Sequence, residues 1–317
     1  MWLLITILAN FFNGGVYLAD KYFLSKKVHS SISYAFYVGI WSAGNCLLFI
    51  FNRHVPTWDW LFLDLISGLL FMAALYFWYK AVHQGETTKV VPIAGAFIPI
   101  FTLLLNYLIG RHYLNKQELL ALAILILGSA LLSLRPRDTF WQNLVKKFKS
   151  FWQPESIELR STSRLWFNAL LSSFIFAAYY VLIKYLYDSQ GFTNAFIWTR
   201  LGSFVGALLL LVFPSSRRLI FDKPRRQSTI KSLPLFLGIR LIAFIAFILS
   251  NYAISLADVS LVNSLQGLQY LFLLIICFLL AGRYPKLLGQ EINKKNIWQK
   301  VSGIVLINLG LFLLLWR

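Results

Sequence analysis

The sequence is poor in charge and poorest in acid. Of its 317 residues 13% are charged, with 12 Asp and Glu against 30 Lys and Arg, while 58% are hydrophobic. A soluble fold cannot bury that much apolar surface, whereas a lipid bilayer removes the need to do so. The basic residues lie between apolar runs, which indicates membrane topology and anionic headgroups rather than nucleic acid. We expect an integral, multi-pass protein of the bacterial cytoplasmic membrane, with no nucleic-acid partner.

Residues for redox and metal chemistry are also scarce. The two cysteines, Cys46 and Cys277, lie in separate apolar runs, which argues against a disulfide framework or a CxxC metal site. The four histidines fall at predicted helix ends or loops, without an HExxH pattern. We therefore expect no metal and no cofactor. His54 and Asp59 match the HxxxxD spacing of acyltransferases, so a membrane-embedded enzyme built on this pair is the alternative of another class.

Apolar runs of spanning length dominate the chain. In lipid the backbone must satisfy its own hydrogen bonds, so each exposed run of this length predicts a helix. The fold class is therefore an all-α membrane protein with ten transmembrane helices. The predicted spans are residues 2–22, 32–51, 60–81, 89–109, 118–134, 165–187, 193–213, 233–255, 259–281 and 298–316.

One apolar segment is repeated later in the chain. Residues Thr88–Tyr113 resemble Ser260–Pro285, 172 positions further on, and both contain a Gly-Arg pair at 110–111 and 282–283. Five spans precede the linker and five follow it, and because five is odd the second half enters the membrane from the opposite side. The sequence predicts two inverted five-helix repeats, 1–134 and 165–317, joined by a linker at 135–164.

The linker contains apolar residues at helical spacing with lysines between them. From Phe140 to Trp152 this pattern predicts a basic amphipathic helix that lies in the headgroup layer and contacts anionic lipids. A plain basic linker is the alternative.

The overall pattern resembles the EamA-type, ten-helix members of the drug/metabolite transporter superfamily. The residues that carry the resemblance are Ala94–Gly110 with Pro99, Gln117 and Gly128, Gly267–Gly282, Gln299 and Gly310, and Trp198-Thr199-Arg200. The family commonly has Gly-Glu where this chain has Gly110-Arg111 and Gly282-Arg283. The resemblance implies transport by alternating access, with a cavity between spans 1, 3, 4, 6, 8 and 9 and with spans 5 and 10 at the periphery.

Two arginines lie deep in predicted spans. A charge at membrane depth costs several kcal/mol unless it is paired or solvated, so Arg240 and Arg200 are candidates for binding an anionic group. Bonding to backbone carbonyls or extension to the interface is the alternative for both. Spans six to nine contain no acid at matching depth, and Asp64 is the one shallow carboxylate elsewhere. A proton relay through a carboxylate is therefore not predicted.

Uncharged polar residues supply further candidates. A polar stripe in the ninth span is predicted either to line the cavity or to join helices, and it consists of Asn263, Gln266 and Gln269, with Tyr270 beside it. The other candidate substrate-binding residues are Asn10, Asn13, Tyr17, Tyr76 and Tyr180. Pro92 and Pro99 interrupt the fourth span and predict either a gating hinge or an ordinary kink.

Together these features predict a transporter of a small polar metabolite, with anionic substrates included. A lipid or lipid-phosphate flippase is the alternative within transport, because of the basic linker helix and the core arginines. The sequence pattern specifies no oligomeric state.

Charge between the spans predicts the orientation. The loops after spans 1, 3, 5, 7 and 9 hold most of the basic residues, so they are expected on the cytoplasmic side and both termini outside. Family members are usually drawn with both termini inside. In a cysteine-free background, a cysteine beside Arg317 should react with an impermeant maleimide in intact cells, whereas one at Lys27 should not. Labelling at the C-terminus only after permeabilisation would contradict this topology.

Overall fold

The computed structural model describes residues 1–26, 30–44, 54–84, 87–109, 115–133, 157–221, 233–257, 259–281 and 297–315, and in these ranges the regular structure is helical, with no strand. The predicted amphipathic helix Phe140–Trp152 and both Gly-Arg pairs lie outside the described residues. The helices of the described part are α1 Trp2–Lys26, α2 Ser31–Trp41, α3 Trp58–Gln84, α4 Thr87–Leu108, α5 Lys116–Ser133, α6 Ile157–Gln190, α7 Phe192–Leu209, α8 Pro214–Phe221, α9 Leu233–Leu256, α10 Val259–Ser264, α11 Gly267–Ala281 and α12 Ile297–Leu315.

Five helices in the described part are long and apolar enough to cross a bilayer. They are Trp2–Phe23, Trp58–Gln84, Ser163–Gln190, Phe192–Val212 and Pro234–Leu256. Shorter apolar helices occur at Ile93–Leu108, Leu119–Gly128, Leu271–Leu280 and Val301–Leu313. The described part of the chain is therefore all-helical, with five candidate membrane spans.

The helix bounds differ from the predicted runs in places that matter for the site. Helix α1 continues to Lys26, so Asp20 lies inside the helix and not at its end. Helix α6 begins at Ile157, within the predicted linker. The ninth predicted span is two helices, α10 and α11, separated by a turn at residues 265–266.

Helix α8 was not predicted as a separate element. It is a short helix that lies against α2, where Ser33 Oγ donates to the Leu219 carbonyl at 2.7 Å and Tyr37 OH donates to the Ile220 carbonyl at 3.3 Å. Its two arginines, Arg217 and Arg218, are exposed on the opposite side. The helix is therefore amphipathic, with an apolar side against the bundle.

Helix α3 lies at the centre of the bundle. It packs along α6 and α7, while α4 packs on α6, and α1 packs on α9 and α11. Helices α5 and α12 pack chiefly against each other, at the side of the bundle. This arrangement leaves the polar faces of α1, α9 and α10 directed toward the interior.

Helices α3 and α7 approach closely because both have glycine at the crossing. A Cβ atom on Gly202 would lie 2.8 Å from the Leu65 backbone, and one on Gly68 would overlap the backbone of Thr199 and Ser203. Small residues permit such approaches in membrane helices, where van der Waals contact drives association. The crossing fixes the depth of Arg200, one residue after Thr199.

The glycine crossing gives a stability test. Gly68→Ala should lower the thermal midpoint of the purified protein, because the new methyl group overlaps backbone atoms that cannot turn away; overpacking of this kind costs about 1–3 kcal/mol. Gly238→Ala is the matched control, since a Cβ there meets no atom within 4 Å. Equal midpoints for the two variants would contradict the close crossing.

Candidate functional site

A cavity of about 180 Å³, with polar groups set in a largely apolar lining, lies between the helices of the two halves. A single water needs roughly 10–15 Å³ on the same kind of measure, so the space is suited to a small molecule. Residues of α1, α3, α4, α6, α9, α10 and α11 line it, as the family resemblance implies, and α2 and α7 contribute as well. Helices α5 and α12 contribute none of the lining residues in the described part of the chain.

Many of the predicted site residues meet at this cavity. Those that line it are Arg240, Arg200, Asn263, Gln266, Gln269, Asn10, Asn13, Tyr17 and Tyr180. Tyr76 and Pro99 lie outside the lining. The side chains of Pro92 and Tyr270 lie outside the described part of the structure. Tyr76 instead lies under the Lys80 ammonium group, which is 5.4 Å from the ring centroid.

Arg240 has a buried acidic partner that the sequence did not reveal. Its Nη2 donates to Asp20 Oδ1 and, at 3.2 Å, to Tyr34 OH, while Tyr34 OH donates to Asp20 Oδ1 at 2.7 Å. Arg240 and Asp20 are each 3% exposed. The prediction of an uncompensated charge at Arg240 is therefore wrong. It considered acids only in spans six to nine, whereas the partner lies on α1.

Arg200 has no such partner. Its guanidinium group lies between two aromatic rings, 4.2 Å from the centroid of Phe71 and 4.3 Å from that of Phe247. Its Nη2 donates to Tyr179 OH at 3.1 Å, and its Nε is buried with no hydrogen-bond partner. No carboxylate of the described residues forms an ion pair with it. Of the two arginines, Arg200 is thus the one without a carboxylate partner among the described residues.

Asn251 is a site residue that the sequence reasoning missed. Its Oδ1 accepts hydrogen bonds from Tyr179 OH at 3.0 Å and from Tyr187 OH at 2.9 Å, so it holds the tyrosine that contacts Arg200. A signal was present in the sequence. Asn251 lies eleven residues after Arg240, three helical turns along, and therefore on the same face of α9.

The break between α10 and α11 puts a polar column in the cavity. Around the turn, backbone bonds run from residue i to i−3, as from Gln266 N to the Asn263 carbonyl and from Gln269 N to the Gln266 carbonyl, both 3.1 Å. With three residues per turn these side chains align more closely than in a regular α-helix. Asn263 is fully buried, and its Nδ2 donor has no partner.

Side chains of α1 hold this break in place. Asn10 Nδ2 donates to the Leu265 carbonyl at 2.9 Å, and Tyr17 OH donates to Gln269 Oε1 at 3.3 Å. Gln266 Nε2 donates to Asn263 Oδ1 at 2.9 Å. The two halves of the chain are therefore joined by hydrogen bonds along the cavity wall. Broken helices whose freed polar groups face a cavity are a recurrent element of transporter binding sites.

Asp64 is buried and lies outside the cavity lining. It is fully enclosed, Gln190 Nε2 donates to its Oδ2 at 3.2 Å, and its Oδ1 has no partner. The sequence-based description of Asp64 as the one candidate carboxylate is wrong, because Asp20 is also buried and lines the cavity. Acidic groups are few, but two of them are in the interior.

The structure offers little support for the enzyme alternative. His54 and Asp59 are both exposed, and neither lines the cavity. The backbone carbonyl of His54 accepts a hydrogen bond from Trp198 Nε1 at 3.2 Å. Within the described residues, no group of three or more His, Cys, Asp or Glu side chains is placed to hold a metal ion.

Comparison with known proteins identifies the class. Residues 1–134 match the EamA-like transporter family, which confirms the resemblance for the first half of the chain and is consistent with the drug/metabolite transporter superfamily. Together with the candidate spans described above, the match indicates an integral, multi-pass membrane protein whose first 134 residues resemble a family of transporters. Proteins of this family are generally transporters rather than enzymes. No curated protein is significantly similar to the chain.

Solved structures share the fold. One, described only as the crystal structure of a protein, superposes on 98% of this chain and 94% of its own chain, with a TM-score of 0.57 and 14% sequence identity. At that identity the likeness concerns the fold alone. It extends over both halves, well beyond the residues that match the family.

Proposed function

We propose that the chain consists of two inverted five-helix repeats that together span the membrane ten times. Reciprocal hydrogen bonds between α5 and α12 support this. Gln117 Nε2 donates to the Leu313 carbonyl at 2.8 Å, and Gln299 Nε2 donates to the Leu131 carbonyl at 2.6 Å. The two donor residues are 182 positions apart in the sequence (299 − 117), and the two acceptor residues are also 182 positions apart (313 − 131). Each helix thus supplies the donor of one bond and the acceptor of the other at equivalent positions, as expected for two helices related by a two-fold axis.

Glycine contacts at the same interface follow the same shift. A Cβ on Gly128 would meet Ile307 at 2.9 Å, and a Cβ on Gly310 would meet Leu125 at 2.9 Å, with 310 − 128 and 307 − 125 again 182. The N-terminal glutamine of each helix reaches the C-terminal end of the other, so α5 and α12 run antiparallel. Antiparallel packing of equivalent helices supports a second half that enters from the opposite side. In this scheme α10 and α11 form one interrupted span.

On this scaffold we propose transport of a small polar, anionic metabolite by alternating access, across the bacterial cytoplasmic membrane. The observation that carries the proposal is the uncompensated guanidinium of Arg200 in the cavity wall. A buried cation without a carboxylate is costly unless a solvated cavity or an anionic ligand offsets its charge. Arginine is suited to carboxylate and phosphate groups because its donors form a planar fork.

The neighbouring polar groups complete the proposed binding site. Asn263 offers an unpartnered Nδ2 donor to an uncharged acceptor on the substrate, and Gln266 and Gln269 lie in the same column. Tyr180 and Tyr17 add aromatic surface and hydroxyl groups. The lining is therefore mixed, with donors in excess, which favours a substrate rich in oxygen acceptors.

The proposed gating role of Pro92 and Pro99 concerns α4, which remains one helix through both residues. Because proline has no N–H, Pro99 cannot bond the carbonyl of Gly95, one turn earlier. Gly95 lines the cavity. A missing backbone bond beside the cavity gives α4 a place to bend, and this supports a hinge there.

The test of the proposed function is uptake by Arg200→Gln in proteoliposomes, with substrates first identified by screening carboxylates and phosphate esters on the wild type. Loss of a charge-assisted contact is expected to raise KM about 10- to 100-fold, on the basis of about 1.5–3 kcal/mol per bond. Arg217→Gln is the control, since Arg217 is exposed and bonds only the Leu211 carbonyl.

Two outcomes would contradict the proposal. If Arg200→Gln lost folded protein in proportion to uptake, Arg200 would be a folding residue. If wild-type vesicles moved a labelled phospholipid between leaflets in an Arg200-dependent manner and moved no soluble anion, the flippase alternative would replace it.

A further inference from the structure

The Asp20–Arg240 pair lies in the wall of the cavity and joins the two halves of the chain. Asp20 is on α1 and Arg240 on α9, and both side chains line the cavity although they are almost fully buried. An ion pair that only stabilises the fold has no need to line a cavity. This one lies in the wall of a cavity large enough for a small ligand.

Arg240 has more donors than partners. Its Nη2 bonds Asp20 and Tyr34, Tyr79 also bonds the guanidinium group, and its Nε is buried with no hydrogen-bond partner. A guanidinium group has five N–H donors and no acceptor, so an unpartnered Nε calls for an acceptor atom. The cavity is where such an acceptor can be supplied.

The groups that face Asp20 include one cation. Tyr34 on α2, Tyr79 on α3 and Arg240 on α9 surround its carboxylate. On its own helix the neighbouring Lys21 is directed elsewhere, with its Nζ donating to the Val82 carbonyl at 2.8 Å. Arg240 therefore compensates Asp20, and an anion that approached Arg240 would meet the negative charge of Asp20 beside it.

We propose that Arg240 is a second anion subsite, which Asp20 occupies in the absence of ligand and which opens when Asp20 takes up a proton. The proton comes from water and bonds to a carboxylate oxygen of Asp20, while Arg240 keeps its charge. The negative charge of Asp20 is lost as an oxyanion of the ligand arrives, so Arg240 keeps an anionic partner. Two anionic groups beside one guanidinium repel each other, and protonation of one removes the conflict.

The inference rests on the proposed transport of anions and names the proton as the coupling ion. Phe247, which covers Arg200, lies seven residues after Arg240 on α9, about 10 Å along the helix at 1.5 Å per residue. The two guanidinium groups thus lie at different depths in one cavity. A transported anion would therefore bind at Arg200, which has no acidic partner among the described residues, and at Arg240, where binding is linked to protonation of Asp20.

The experiment measures proton uptake by the purified full-length protein on addition of sulfate, with chloride at equal ionic strength as the reference. Sulfate remains a dianion between pH 6 and 8, so it contributes no proton of its own. In weakly buffered solution near pH 7, the wild type should take up about one proton per molecule at saturating sulfate. Asp20→Asn should take up none.

Asp64→Asn is the matched control, because Asp64 is an equally buried carboxylate outside the cavity lining. It should take up protons as the wild type does. A second readout is thermal stabilisation by sulfate, which should be larger at pH 6 than at pH 8 in the wild type and equal at both in Asp20→Asn. If Asp20→Asn does not fold, a wild type that takes up no proton with sulfate still overturns the inference.

The inference is overturned if the wild type takes up no proton with sulfate, if it shows no sulfate effect, or if Asp20→Asn takes up as many protons as the wild type. Arg200→Gln separates this result from the proposed function. Loss of transport in Arg200→Gln together with proton-independent sulfate binding in the wild type supports transport and refutes the subsite. Sulfate-linked proton uptake with undiminished transport in Arg200→Gln supports the subsite and refutes the role of Arg200.

Discussion

The free energy of a cation held in a membrane interior is the constraint that organises this protein. Arg200 is 2% exposed, and the faces of Phe71 and Phe247 offset part of the cost of burying its charge, since a desolvated cation–π contact contributes about 2 kcal/mol. The remainder requires water or an anion, because no carboxylate of the described residues lies against it. The hydrogen-bonded group of Tyr179, Tyr187 and Asn251 fixes the site around this charge.

In the proposed scheme of two repeats, the outer part of the bundle is more symmetric than its interior. At the interface of α5 and α12, residues that the scheme makes equivalent form matching contacts. In the interior, the scheme makes Gly68 and Arg240 equivalent, 172 residues apart, and the two residues make different contacts. Gly68 lets α3 approach α7 closely, whereas Arg240 places a paired charge in the cavity wall. A scaffold of repeats can thus hold a site in which each half contributes different chemistry.

Much of the helical pattern follows from the sequence, because apolar runs of this length have one stable backbone in lipid. The two arginines and the polar stripe were identified as candidate site residues from residue type alone, because charged and amide side chains are rare in apolar runs. The partner of Arg240 was missed because the contact joins residues 220 positions apart, and no local pattern records it. Asp20 was also placed at a span end, while the helix continues to Lys26.

The break in the ninth span shows a second limit. Spacing of three fits one face of a continuous helix and also a turn with i to i−3 bonds, so the pattern could not distinguish them. Hydrogen bonds from α1 favour the broken helix, because Asn10 donates to the Leu265 carbonyl at the turn. Such contacts between distant helices are tertiary. They determine which polar groups remain free for a ligand.

The most direct test of an anion site at Arg200 is to locate a bound anion. Selenate has the charge and shape of sulfate, and its selenium atom is identified by anomalous scattering in crystals of the full-length protein. The result expected is selenate in the cavity, with an oxygen within hydrogen-bond distance of the Arg200 guanidinium group. Selenate found only at basic residues on the surface, with the cavity free of it at saturating concentration, would contradict an anion site there.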